Sequence, residues 1–571
     1  MDRTAKQIPL LLRNNKNFIT KAQRAKKKNM KKNLFVFLLL LTFVFQSFAQ
    51  TAVKVTPAEK KIAEGVTAKQ LSDYLYFVAS DAMGGRDTPS QGLDVTAEFL
   101  KMNLSRWGFK PAGDNGSFFQ KIAIKSESVD PSKNTLQIGG QNFSIYDDFF
   151  RLAGNASFTA PMVFVRNGWM VKEKNIDAYK GVDVKDKIVV IYGQGFPRAN
   201  RATSLPAGVA ENDLKGTKGT DWADPVTYAK NGGAKSIVLI ASPQAQAAWP
   251  QLRGFLGRVT GYPEKLRDNA GDQGDFPVIL VSEKVGNAIF SGESANKDSA
   301  SAFALSKSAT MSSSGHVDIK WAQNVVAIWE GSDPVLKNEM VAIGAHYDHV
   351  GMNPNAPGED KIWNGADDDG SGTVAVLSIA EALAKAPKRP KRSVLFVWHC
   401  GEEKGLWGSE YFNKFPTVDI KKVISQLNID MIGRSRKTDD TNPKNKDLTD
   451  ENSIYVIGKD MMSSTLGSIV DQTNKGYLNL GYNTRYDDPK DPERFFYRSD
   501  HFNYALNGIP ITFWFDGVHE DYHQPGDEPQ KIDYNKMEKV TRTILITLLE
   551  LTDLKDRPKV DKQLPPELTR R

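Results

Sequence analysis

Histidines and acids recur in the second half of this sequence in an order that metal chemistry can use. All seven histidines (His316, His346, His349, His399, His501, His519 and His523) lie beyond residue 315, so histidine-based chemistry is confined there. His346 and Asp348 follow the apolar run "MVAIGA", the adjacent Glu402 and Glu403 follow "SVLFVWHCG", and Asp430 follows "VISQLNI". His523 lies in "HEDYHQPGD", just past "IPITFWFDG", and "NGADDDGSG" sets Asp367, Asp368 and Asp369 in a glycine-flanked turn before a helix. Imidazoles and carboxylates are ligands that zinc accepts, and since one catalytic zinc needs only three, their number suits two metals sharing a carboxylate. Neighbouring residues in a turn point in different directions. One of the paired glutamates can therefore bind metal while the other faces a metal-activated water and takes its proton. Gly401 and Gly405 leave room for that turn.

Taken singly, each feature has a plain reading, since acids before a helix act as caps and a lone histidine is usually structural. What joins them is the elements that must carry them. From about residue 320 apolar strands alternate with helices: "NVVAIWEG", "MVAIGAH", the helix "TVAVLSIAEALAKA", "SVLFVWH", "VISQLNIDMIG", "SIYVIG", "IPITFWFDG" and a last helix "MEKVTRTILITLLELTDL". That alternation predicts an α/β fold, a mostly parallel sheet sandwiched by helices, whose ligands gather at the carboxyl ends of the strands. The histidines and acids sit at those ends. Cys400, the only cysteine, reads as a small buried hydrophobe at the end of a strand.

The motifs "AHYDH", "NGADDDGSG", "GEEKGLWGS", "NIDMIG", "SDHF" and "DYHQPGD", in this order, resemble the co-catalytic dizinc exopeptidases that include secreted bacterial leucyl aminopeptidases and relatives of glutamate carboxypeptidase. The resemblance implies that His346 and Asp430 hold one zinc, Glu403 and His523 the other, and that Asp367 bridges them. Glu402 matches the general base. Asp348 matches a carboxylate that orients the imidazole of His346, Ser499 a hydroxyl behind the second histidine, and Tyr522 a tyrosine that polarises the substrate carbonyl. The implied activity is that of a zinc aminopeptidase acting on peptides or small proteins. A carboxypeptidase or dipeptidase on the same site, and a single-zinc acyltransferase of the glutaminyl cyclase kind, are the alternatives. The stretch "YDDPKDPERFFYR", residues 486–498, offers a substrate-facing loop.

The rest of the chain supplies the frame. Of 571 residues, 40% are hydrophobic and 25% charged, an ordinary globular composition with room for several domains. Residues 1–49 read as a signal peptide with an upstream extension, because a basic start precedes a short apolar run, Leu34 to Phe45, and small residues at Ser47 and Ala49. That run is shorter than the ~20 residues a membrane span needs. The segment carries eleven Lys and Arg against one acid, so its removal takes away a net ten positive charges and moves the formal charge from +7 to −3. The mature chain then offers no charge argument for nucleic acid and no stable membrane anchor, and the protein is expected to be secreted or periplasmic.

Residues 56–150 are expected to form the N-terminal part of the peptidase domain and 318–555 its catalytic body, followed by a tail, 556–571. Between them, 155–300 carries the short β-rich runs "MVFV", "KIVVIYG", "SIVLIAS" and "FPVILVS". Its layout resembles the protease-associated domain, an insert of several secreted peptidases. The serine-rich "SKSATMSSSG" reads as a linker.

Overall fold

A computed structural model describes residues 53–193, 203–256, 260–267 and 276–569. The expected signal segment, 1–49, lies outside the described residues. No helix among the described residues is long and apolar enough to cross a membrane.

The larger of two main sheets has ten strands. Its centre is four parallel strands in the order Ser393–His399, Met340–His346, Val423–Ile429 and Ile511–Phe515. Each is buried throughout because both faces are covered. Val341, Ile343 and Ala345 join the core on one face, whereas Met340 and Ala342 join the core on the other. The first face is covered by the helices Ala68–Val78, Gln91–Arg106, Gly372–Lys385 and Tyr534–Asp553, and the second by the shorter Trp407–Lys414 and His501–Leu506.

The sheet is mixed rather than mostly parallel. Gly315–Trp329 pairs antiparallel with Ser393–His399 and with Phe119–Val129, and Ser453–Ile457 pairs antiparallel with Ile511–Phe515. Alternating strands and helices specify only the central crossovers. Flanking strands that arrive from elsewhere in the chain are free to pair in either sense.

A second sheet of eight strands takes them from Thr135 to Ser313, a wider range than 155–300. Its parallel centre is Ala156–Phe164, Ile188–Tyr192, Ser236–Ile240 and Val278–Val281. Phe149–Ala153 closes one edge beside Val278–Val281. The serine-rich stretch is not a linker. It lies mostly within the strand Phe303–Ser313, held between Thr135–Ile138 and Ala156–Phe164. Ala309, Met311 and Ser313 turn inward while Ser308 and Thr310 face out. Small hydroxyl residues with few inward apolar ones read as linker until two neighbouring strands supply the ladder. The two sheets are joined by Phe119–Val129 and Gly315–Trp329, which pair continuously from Val129 opposite Gly315 to Phe119 opposite Val325.

The N-terminal helices are tied to the carboxyl ends of the central strands by one buried cation. Arg86 is fully buried. Its Nε donates to Tyr347 O at 2.9 Å, Nη1 to Val78 O at 2.9 Å and Asn364 O at 2.7 Å, and Nη2 to Gly365 O at 2.9 Å. The planar fork thus holds both the segment that carries His346 and Asp348 and the entry to the triple-aspartate turn. Arg86→Met keeps the length but leaves four carbonyls without this donor. It is expected to lower stability by about 3–5 kcal/mol, the scale for breaking a buried charged contact. Urea denaturation measures this, and a loss below about 1 kcal/mol would show that water replaces the guanidinium.

Candidate metal centre

The four central strands bring their carboxyl ends to one rim, and there two groups of donors face each other. His346, Asp368 and Asp430 form one; His349, Asp368, Glu403 and His523 form the other, with one donor atom from each residue lying within 4.8 Å of the rest of its group. Asp368 belongs to both. Its Oδ1 is 3.2 Å from His346 Nε2 and its Oδ2 is 3.0 Å from His523 Nε2. Asp430 Oδ1 lies 3.6 Å from His346 Nε2, and Glu403 Oε2 3.0 Å from His523 Nε2.

Asp368 Oδ2, Glu403 Oε1 and His523 Nε2 are buried and have no hydrogen-bond partner. Their lone pairs converge on common points rather than on one another's protons, the arrangement that divalent cations satisfy and that would otherwise leave buried polar atoms unpaired. The donor set, three imidazoles with carboxylates, is one that zinc accepts.

The residue shared by the two groups is Asp368, and the expected Asp367 lies in neither. In the turn Ala366–Ser371 the three aspartates face three ways. Asp367 turns away from the centre: its Oδ1 accepts the Gly433 N–H at 2.7 Å and its Oδ2 is 3.3 Å from His519 Nε2. Asp369 accepts the N–H groups of Gly372 at 2.8 Å and Met431 at 3.1 Å. Only Asp368 faces the donors. An irregular turn has no side-chain period, so three identical residues in a row cannot be told apart before the chain folds.

The other expected residues fall as follows. His346, Glu403, Asp430 and His523 are brought together. Glu402 lines the same cavity as His346, Asp368 and Asp430, and its N–H donates to Asp348 Oδ1 at 3.2 Å. Gly401 and Gly405 have φ of 69° and 104°, values that β-carbon-bearing residues rarely adopt, which lets the chain turn sharply on either side of the glutamate pair. Asp348 lies beside the His346 ring, with Oδ1 3.6 Å from Nδ1, but its own carbonyl is nearer at 3.1 Å. Ser499 does not stand behind His523. It donates to Asp430 Oδ2 at 2.6 Å and accepts from Asn428 Nδ2 at 2.8 Å, because the segment before His501 packs on the end of the strand Val423–Ile429. The ring of Tyr522 stacks on that of His523 at 4.0 Å, and its hydroxyl accepts from Arg498 at 3.3 Å. Cys400 is buried and free.

His349 was present in "AHYDH" without an assigned role. It is fully buried and places Nδ1 2.8 Å from Glu403 Oε1. Its position three residues after His346 was the available signal, but in an extended segment that spacing does not say which wall a ring will meet.

The field at the site sorts the acids. Burial favours the neutral form of Asp368, yet contacts with His346 and His523 and the field of His349 hold its carboxyl well below the usual range. Burial, with Glu403 and Asp430 adding to it against His346, pushes Glu402 well above the usual range. Burial opposes the charged form of His523, but Asp368 and Glu403 raise it to about 10. Two neighbouring glutamates are thus driven apart, since burial also acts on Glu403 but His349 and His523 hold it low. Beside the polar wall, Met431, Phe495, Phe513, Phe515 and Val518 form an apolar one, with Arg498 and Tyr522 completing the lining.

Residues 324–548 match peptidase family M28. Leupeptin-inactivating enzyme 1 of Streptomyces exfoliatus is 31% identical over 210 residues, 36% of this chain and 38% of that one. Leucine aminopeptidase 2 of Trichophyton rubrum is 26% identical over 293 residues, 45% of this chain and 52% of that one. The chain therefore spans about half or less of the length of these relatives. Among solved structures, an aminopeptidase from Aneurinibacillus sp. strain AM-1 aligns with a TM-score of 0.45 at 17% identity, covering 89% of this chain and 98% of that one.

Proposed function

We propose that this protein is an exported zinc aminopeptidase that releases N-terminal residues from peptides, with two zinc ions per chain. The observation that carries this reading is the pair of facing donor groups joined by Asp368, with Glu402 beside them. His346 and Asp430 would hold one ion, Glu403 and His523 the other, with Asp368 shared and His349 behind Glu403. Bound zinc supplies Lewis acidity for a peptide carbonyl and brings the pKa of a water towards about 7. Glu402 takes the proton of the attacking water and returns it to the leaving amine, a task suited to a carboxylate whose affinity for protons is raised. Asp348 braces both His346 and the backbone of Glu402. Tyr522, stacked on His523 with its hydroxyl held by Arg498, is placed to hydrogen-bond the substrate carbonyl. The names of the matched relatives support an aminopeptidase, and the apolar wall supports a large apolar side chain at the cleaved end. The eight-stranded unit is read as a protease-associated module.

The glutamate pair separates base from ligand. Glu402→Gln is expected to keep near-native zinc content and lose turnover by at least about 100-fold. Glu403→Gln is expected to lose zinc, with excess zinc restoring part of the rate. Zinc per chain and turnover, measured on both, check the assignment. Reversed behaviour would exchange the roles, and one zinc in the wild type would favour the single-metal acyltransferase.

The aspartate turn gives a second contrast. Asp368→Asn should weaken both metal positions, whereas Asp367→Asn should retain two zinc ions at a stability cost of about 1–3 kcal/mol, the range for disturbing a buried hydrogen bond. Metal analysis beside thermal unfolding distinguishes them. Substrate choice is tested with amino-acid amides: leucyl and phenylalanyl amides should exceed lysyl and aspartyl amides in kcat/KM by roughly 10-fold or more. Equal rates would remove the apolar wall from the specificity argument.

A further inference from the structure

Asp527, the last residue of "HEDYHQPGD", is fully buried and takes no part in the chemistry above. Its carboxylate accepts the Asp367 N–H, with Oδ1 at 3.1 Å and Oδ2 at 3.0 Å, and Oδ2 also accepts the Asp368 N–H at 3.1 Å. Its main-chain carbonyl accepts the Ala366 N–H at 3.0 Å. Three successive N–H groups of the triple-aspartate turn thus end on this one residue, four positions after His523.

The turn has two sets of ties. Towards the strand end that carries Asp430 it is held by Asp367 on Gly433, Asp369 on Met431 and Ser371 on Ile432. Towards the loop that carries His523 it is held by Asp527, supported by the 3.3 Å contact of Asp367 with His519. The first set places Asp368 against Asp430 and His346. The second places the same carboxylate against His523 and Glu403.

We infer that Asp527 is a positioning residue for one half of the metal centre: it sets the separation of Asp368 from His523 and so governs the metal position they share, leaving the His346 and Asp430 position to the other ties. The inference rests on the two-zinc reading. Asp527→Asn keeps the shape but removes the charge and, with the amide oxygen in the Oδ2 position, turns an N–H donor towards the Asp367 N–H, so the fork can no longer accept on both sides.

The test is zinc titration of the metal-free full chain against a chromogenic chelator. The wild type is expected to take up two ions. Asp527→Asn is expected to bind one with native affinity and the other about 10- to 100-fold more weakly, the usual effect of losing a group behind a metal ligand. Turnover at limiting zinc should fall and recover with added zinc, with KM little changed. Two affinities within about 2-fold of wild type would overturn the inference while leaving the dizinc reading intact, and so would an equal loss at both positions. If Asp527→Asn does not fold, Asp527→Ser, which keeps the main-chain contact and adds no opposing amide, is judged by the same criteria. Failure of both to fold would assign Asp527 to the fold rather than to the site. A wild type with fewer than two zinc ions would overturn the dizinc reading and this inference with it.

Discussion

The constraint on which the catalytic domain depends is the burial of many carboxylates in one place. Asp348, Asp367, Asp368, Asp369, Asp430, Asp500, Asp516 and Asp527 are all buried, close to the carboxyl ends of the parallel strands. Unpaired, each would incur the large cost of a desolvated charge. The chain meets this with main-chain N–H groups, with the histidines, and with two buried cations. Gly433, Met431, Arg434 and the turn 366–368 supply N–H donors; Arg434 and Lys536 supply charge. Asp348, Asp367, Asp368, Asp369, Asp500 and Asp516 each keep an oxygen without a hydrogen-bond partner, and of these Asp368 belongs to the donor groups.

That arrangement ties together loops that carry little regular structure. The segments 346–349, 365–371, 430–434 and 519–527 bind one another through side chain to main chain contacts rather than through strands. Arg86 adds the N-terminal helices to the same set by gathering four carbonyls from three segments. Donors held this way can be placed to within about half an ångström, as a metal site requires. The helices beneath contribute by closing the apolar core on both sides of the sheet.

The smaller unit meets the larger one along the paired strands Phe119–Val129 and Gly315–Trp329. One chain crossing would leave a hinge, whereas two hydrogen-bonded crossings resist bending out of the ladder. All the proposed metal donors lie in the larger unit.

The sequence by itself determined the alternation of apolar strands with helices, and with it the edge at which histidines and acids would gather; that much follows from local periodicity and from the rule that parallel strands present their carboxyl ends together. It also marked His346, Glu402, Glu403, Asp430 and His523, because each stands alone or in a distinct pair directly after a strand or in a short loop. Tertiary structure decided what identity and spacing could not. Asp368 rather than Asp367 is shared by the two donor groups, since direction within an irregular turn depends on which N–H groups the neighbouring loops present. Ser499 reaches Asp430 and His349 reaches Glu403 for the same reason: both are contacts between segments distant in the chain. The antiparallel flanks of the large sheet, and the strand made from a serine-rich stretch, were likewise settled by pairing partners far along the chain, whose hydrogen bonds leave no mark on the composition of the segment they hold.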